Sequence, residues 1–143
     1  MLDIEGVAMT VVVGYVRTDE GAAALEAAQS ILREGERLVV VSKPEPDELG
    51  EFSEEQEADA LREQLGARGI VAEVVLLYAA DEPAELIRTQ AVAADARVIV
   101  IGLRRRSPVG KMLLGSTAQD LLFGAPCPVL TVCADTNRVD AGH

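Results

Sequence analysis

The sequence predicts an α/β fold, a three-layer sandwich around a five-stranded parallel sheet. Two observations carry this. Short apolar runs rich in Val and Ile recur along the chain, as strands buried on both faces require. Between them lie segments with apolar residues at helical spacing, and strands that alternate with helices form parallel sheets covered on both sides. A length of 143 residues suits one domain, 1–143, with one sizeable core. Residues 1–8 read as a lead-in and 134–143 as a loose polar tail.

Met9 to Val16 is the first strand, a β-branched run interrupted only by Gly14 and Tyr15. Thr18 is placed to cap the next helix, and Asp19 and Glu20 fall in its first turn, where the dipole favours acids. Leu25, Ala28 and Leu32 form its apolar side, and Gly35 supplies a stop. Arg37 to Ser42 is the second strand. An acidic, breaker-rich connection from Pro44 to Gly50 leads to Ser53 and Gln56, a capping-box pair. The helix they open has Ala58, Leu61 and Leu65 on its inner face, and its run of acids reads as a solvated outer face. Ile70 to Leu77 is the third strand. Asp81 is the expected cap of the third helix, with Pro83 in the first turn and Leu86, Ile87, Ala91 and Ala94 facing inward. Arg97 to Ile101 and Val129 to Cys133 are the fourth and fifth strands.

Composition removes several function classes. The chain has two Phe, two Tyr and no Trp, which argues against stacking-based binding of single-stranded nucleic acid. A net charge of −11 opposes association with DNA or an anionic membrane. No apolar run approaches the roughly 18 residues of a membrane span, and Met1 to Glu5 is too acidic for a signal peptide. A cytoplasmic protein is expected, without nucleic-acid or membrane partners. Cys127 and Cys133, six steps of about 3.3 Å apart on an extended chain, are too distant to bridge, and free thiols fit a reducing compartment.

Enzyme motifs fail on their own terms. The only His is His143, so Ser-His and Cys-His nucleophile pairs and histidine metal sites are excluded. No Gly-x-Gly-x-x-Gly follows the first strand. A P-loop ending at Gly110-Lys111 would need Gly at 105, which is Arg, and Ser or Thr at 112, which is Met. A phosphoacceptor needs acids at the end of the first strand, and that end is Gly14-Tyr15-Val16.

The positive signal lies between Arg97 and Thr117. Four of the 13 basic residues (Arg104, Arg105, Arg106 and Lys111) fall in one loop with no acid between them. In so acidic a chain this local reversal points to an anion. Ser116 with Gln119 forms a second capping-box pattern, so a helix opens just after Gly115, and a helix N-terminus attracts phosphate. A glycine there lets a ligand approach the backbone. In doubly wound sheets ligands bind beyond the strand carboxyl ends at the switch in strand order. That rim comprises Gly14, Tyr15, Val16, Ser42, Lys43 and the residues from Gly102 onward.

Gly102-Leu-Arg-Arg-Arg-Ser-Pro-Val-Gly-Lys-Met-Leu-Leu-Gly-Ser, followed by Ala125-Pro-Cys-Pro-Val-Leu, resembles the universal stress protein family. Its nucleotide-binding branch carries Gly, two residues, Gly, nine residues, then Gly-Ser or Gly-Thr. The resemblance implies the sheet order 3-2-1-4-5, an adenine nucleotide alpha hydrolase-like fold, and a homodimer paired along strand 129–133. It also implies ATP or another adenine nucleotide as ligand, alone or with Mg. Adenine would meet the backbone of Val41, and Gly14, Tyr15, Val16 and Ile101 are further expected nucleotide-binding residues. Ribose and phosphates would meet Gly102, Gly115, Ser116 and Thr117, with Arg104 to Arg106 or Lys111 adding charge, and Arg105 either supplies charge or closes the phosphate pocket by bulk. The chain departs from the pattern twice, with Val16 where the family offers Asp and Arg105 at the second Gly. Two functions follow: a stress-response protein that binds the nucleotide as signal or stabiliser without efficient chemistry, or a nucleotide-free dimeric interaction protein of the same fold.

Overall fold

The computed structural model describes residues 9–16, 18–43, 54–78, 80–104 and 115–134. Five strands and four helices alternate. They are β1 (Thr10–Val16), α1 (Asp19–Ile31), β2 (Arg37–Lys43), α2 (Glu54–Gly66), β3 (Val71–Leu76), α3 (Pro83–Ala94), β4 (Ala96–Arg104), α4 (Ser116–Gly124) and β5 (Val129–Ala134). All strand pairs are parallel, in the order β3-β2-β1-β4-β5. Consecutive strands thus pair outward from β1 in one direction, and β4 returns to its other side. The switch in order falls between β1 and β4.

Strand alternation divides the core. Val11, Val13, Leu38, Val40, Val98 and Val100 face one side, where Ala24 and Ala28 of α1 and Ala58 and Leu65 of α2 cover them. Val12, Val39, Val41, Ile99 and Ile101 face the other, against Ala84, Ile87 and Ala91 of α3 and Ala118 and Leu121 of α4. The central strands are apolar at consecutive positions because both faces are buried. Small Ala residues on the helices let them lie close to the β-branched sheet.

The amino end of the sheet is closed by charge. The Glu36 carboxylate, just before β2, receives Arg97 of β4 through Nε and, at 2.9 Å, through Nη2. Arg97 Nη2 also donates to the Ile31 carbonyl at 2.6 Å, and Arg33 N donates to Glu36 Oε1 at 2.8 Å. One guanidinium therefore joins β4 to β2 and satisfies a carbonyl at the carboxyl end of α1, where a cation is favoured. The Arg97 hydrogen bonds hold the Glu36 carboxyl below its ordinary pKa.

Cap chemistry departs from expectation at two helices and stop chemistry at one. Thr18 caps α1, accepting from Gly21 N at 3.2 Å. Glu82, not Asp81, caps α3 by accepting from Glu85 N at 3.2 Å, while Asp81 accepts from Tyr78 N at 2.8 Å. Pro83 fixes the first helical position, so the residue before it must be the cap. The stop of α1 is Leu32, and Gly35 instead takes φ +88 in the turn that leads to Glu36. The Ser53 end of the α2 capping box lies outside the described residues. β4 runs three residues past Ile101, so Gly102 sits inside the strand opposite Val132.

Candidate functional site

All four helices begin at the carboxyl end of the sheet, and a cleft of about 260 Å³ lies among three of them, α1, α3 and α4. Its floor is Gly14 and Tyr15 of β1, Val41 and Lys43 of β2, and Ile101 and Gly102 of β4. Its walls are Glu20 and Gly21 of α1, Pro83 and Ile87 of α3, Leu77 after β3, and Thr117 of α4. The first turns of α1, α3 and α4 therefore border one space. Each brings N–H groups without intrahelical partners and the positive end of a helix dipole.

Glycine shapes this floor for two different reasons. A Cβ on Gly14 would stand 3.2 Å from Ile87 Cδ1, so its absence leaves room between β1 and α3. A Cβ on Gly102 would stand 2.0 Å from the Glu20 carbonyl oxygen, an impossible contact. Gly102 is thus required by the seating of α1 on β4, whatever the cleft holds. Gly115 differs from both, since a Cβ there meets nothing within 4 Å among the described residues.

The helix after Gly115 begins without the expected capping box. Gly115, extended at φ −70 and ψ 171, is itself the N-cap of α4, with no side-chain hydrogen bond, and its carbonyl accepts from Gln119 N at 3.0 Å. Ser116 is then the first helical residue, one position too late to cap. Arg88 of α3 ties α4 in place, donating to the Asp120 carbonyl at 3.4 Å and to Glu85 Oε1 at 2.9 Å. Gly115 and Ser116 are exposed at the mouth, whereas Thr117 is half-buried in the wall.

Of the residues expected at a site, Gly14, Tyr15, Val41, Ile101, Gly102 and Thr117 meet in this cleft. Val16 and Arg104 end β1 and β4 on the same side. Arg105, with Arg106 and Lys111, lies outside the described residues. Ser42, also on the expected rim, points to the opposite face. There it joins Tyr15 in a larger cavity of about 530 Å³ under α2. That cavity is lined by Glu54 and Glu57 and by no basic side chain among the described residues, a poor setting for phosphate. Tyr15 borders both spaces. The sequence reading missed Glu20, Gly21, Pro83 and Ile87 as cleft residues. They arrive from helices, and the only local signal was that each falls in the first turns of an element beginning at the strand ends.

Groups for covalent or metal chemistry are sparse here. Burial pushes the Cys127 thiol up, which disfavours the thiolate, and it precedes β5 at the far end of the sheet. Cys127 and Cys133 are both free. Among the described residues no group of three His, Cys, Asp or Glu side chains could hold a metal ion, and no helix is long and apolar enough to cross a membrane.

Sheet order and cleft together define a doubly wound α/β protein with a cleft at the β1/β4 switch, the position at which sheets of this kind bind ligands. The chain belongs to the universal stress protein family, whose sequence model matches residues 8–132. It is 36% identical over 125 residues to a universal stress protein of Mycolicibacterium smegmatis, covering 85% of this chain and 95% of that protein. The structure of the universal stress protein from Archaeoglobus fulgidus superposes with a TM-score of 0.66 at 29% identity, over 88% of this chain and 99% of the other. A structure of the universal stress protein from that organism in complex with dAMP gives a TM-score of 0.61 at 25% identity, over 88% and 98% of the two chains.

Proposed function

We propose that the cleft binds an adenine nucleotide, ATP first among them, as a signal or stabiliser in a stress response, without efficient turnover. The observation that carries this reading is the convergence of three helix N-termini on a glycine-floored, partly apolar slot at the β1/β4 switch. A base fits against Val41, Ile87 and Ile101, and the ribose beside Gly102. The phosphates then lie at the start of α4, near Gly115, Ser116 and Thr117, with Arg104 and Arg105 adding charge. The dAMP complex of the A. fulgidus relative supports adenine as the base. Any accompanying Mg comes with the phosphates, because the described cleft offers a single carboxylate, that of Glu20.

The protein acts in the cytoplasm as a homodimer paired along β5. This strand ends the sheet and carries the exposed Leu130, and α4 carries the exposed Leu122 and Phe123, the latter 90% accessible. The same edge favours a second reading, a nucleotide-free dimeric interaction protein. Freshly purified protein, denatured and chromatographed, should release an adenine nucleotide, or should give heat when titrated with ATP, AMP or cyclic AMP. No released nucleotide and no heat at millimolar ligand would leave only the second reading.

A further inference from the structure

We propose that Arg88 is a positioning residue of the cleft: it fixes the start of α4 against the sheet and so sets the phosphate-dependent part of nucleotide affinity, without touching the ligand. The inference rests on the nucleotide reading above and adds to it a residue that does not line the cleft. α4 finishes neither of its ends with its own side chains. Its N-cap, Gly115, makes no side-chain hydrogen bond, and its last turn holds no basic residue. It is nine residues long and buries Ala118 and Leu121. A helix of that length is marginal without tertiary contacts, so where α4 sits is decided from outside.

Arg88 supplies the outside hold. It follows Ile87, which lines the cleft, so one residue of α3 forms the wall and the next reaches across to α4. Its guanidinium is shared between two helices. Nη2 donates to Glu85 Oε1 at 2.9 Å, which aims the group, and Nη1 donates to the Asp120 carbonyl at 3.4 Å. Asp120 stands one turn before the end of α4, where the dipole favours a cation. Gly124 completes the seat, since a Cβ there would stand 3.2 Å from Arg88 Nη1. Pro83 of α3 and Thr117 of α4 both line the cleft, so a tie between these helices sets the spacing of two walls. Groups that hold a ligand act within about half an ångström of the productive geometry. Val41 and Ile101, which meet the base, stand on strands and do not depend on α4.

The test is calorimetric titration of the full chain with ATP, AMP and adenosine, for wild type, Arg88→Ala, Arg88→Lys and Gly124→Ala, with melting curves alongside. Arg88→Ala should weaken ATP binding roughly tenfold and adenosine binding less than about twofold, with AMP between. Arg88→Lys, which keeps a cationic donor without the fork, should restore part of the loss. Gly124→Ala keeps the arginine, but its methyl group displaces the guanidinium, the far end of a flexible side chain. It should therefore fold and show the same graded loss at smaller size, and it decides the matter where Arg88→Ala does not fold. Equal losses for ATP and adenosine would overturn the proposal. So would lowered melting temperatures with all three affinities unchanged, which would leave Arg88 a purely structural tie. Wild type that binds none of the three overturns the nucleotide reading itself and the proposal with it, a result distinct from either.

Discussion

At the amino end of the sheet, Arg97 and Glu36 pair, Arg97 also donates to the Ile31 carbonyl that ends α1, and the polar groups there are committed to folding. At the carboxyl end the same strands finish in a cleft bordered by Glu20, Lys43 and Thr117. Both ends join helices to strands and carry charge. They differ in what lies between the elements: a bonded ion pair in one case, a cleft of about 260 Å³ in the other. A parallel sheet places every helix N-terminus at one end and every helix C-terminus at the other, so the asymmetry is built in before any side chain is chosen. Side chains then close one end and leave the other open.

Gly102→Ala attacks this division most directly, because Gly102 lies at the open end yet is required by packing. Its methyl group would strike the Glu20 carbonyl, and a loss of about 3 kcal/mol or more is expected in urea unfolding. A loss under about 1 kcal/mol would mean that α1 seats more loosely on β4 than its geometry indicates. At the closed end, Arg97→Ala leaves the Glu36 carboxylate, 4% accessible, without its cation. A stability loss of about 3 kcal/mol should follow, with unchanged nucleotide affinity in the folded protein. Altered affinity would show that the two ends are coupled.

A milder probe of the same pair is pH. Glu36 titrates lower in the folded chain than in the unfolded one, so its contribution is complete above the ordinary glutamate pKa of about 4.3 and disappears as pH falls through the lowered folded value. Urea midpoints of wild type should therefore drop over that acid range more steeply than those of Glu36→Gln; parallel curves would remove Glu36 from the account. The smallest stability effect belongs to Gly115→Val, whose added carbons meet no described residue and should cost no more than about 1 kcal/mol. It should nevertheless weaken nucleotide binding at least tenfold by calorimetry. Unchanged affinity would move the phosphates away from the start of α4.

The sheet was the most legible part of the molecule. Val11 to Val13, Leu38 to Val41 and Val98 to Ile101 are buried on both faces, and such runs announce themselves by composition alone. Helix starts were less so, because cap preferences are local and Pro83 and Gly115 override them, moving the caps to Glu82 and Gly115. At the cleft, strand ends were foreseeable from topology, which is why Gly14, Tyr15, Val41, Ile101 and Gly102 meet as expected. Glu20 and Ile87 were not, since a first-turn acid and an inward-facing Ile have sufficient local explanations and only three-dimensional contact shows a further neighbour. The Gly102 contact with Glu20 was equally hidden, for no sequence pattern reveals which backbone a missing side chain admits.

Tyr15 forms part of the wall of the cleft and of the larger cavity under α2, and the chain has no tryptophan. Its only other tyrosine, Tyr78, is exposed near the end of β3. The protein thus carries a built-in optical reporter. In a Tyr78→Phe variant all tyrosine emission comes from Tyr15, whose ring packs on the α1 and α2 side of the core, so it reports on the cavity under α2 without any attached dye.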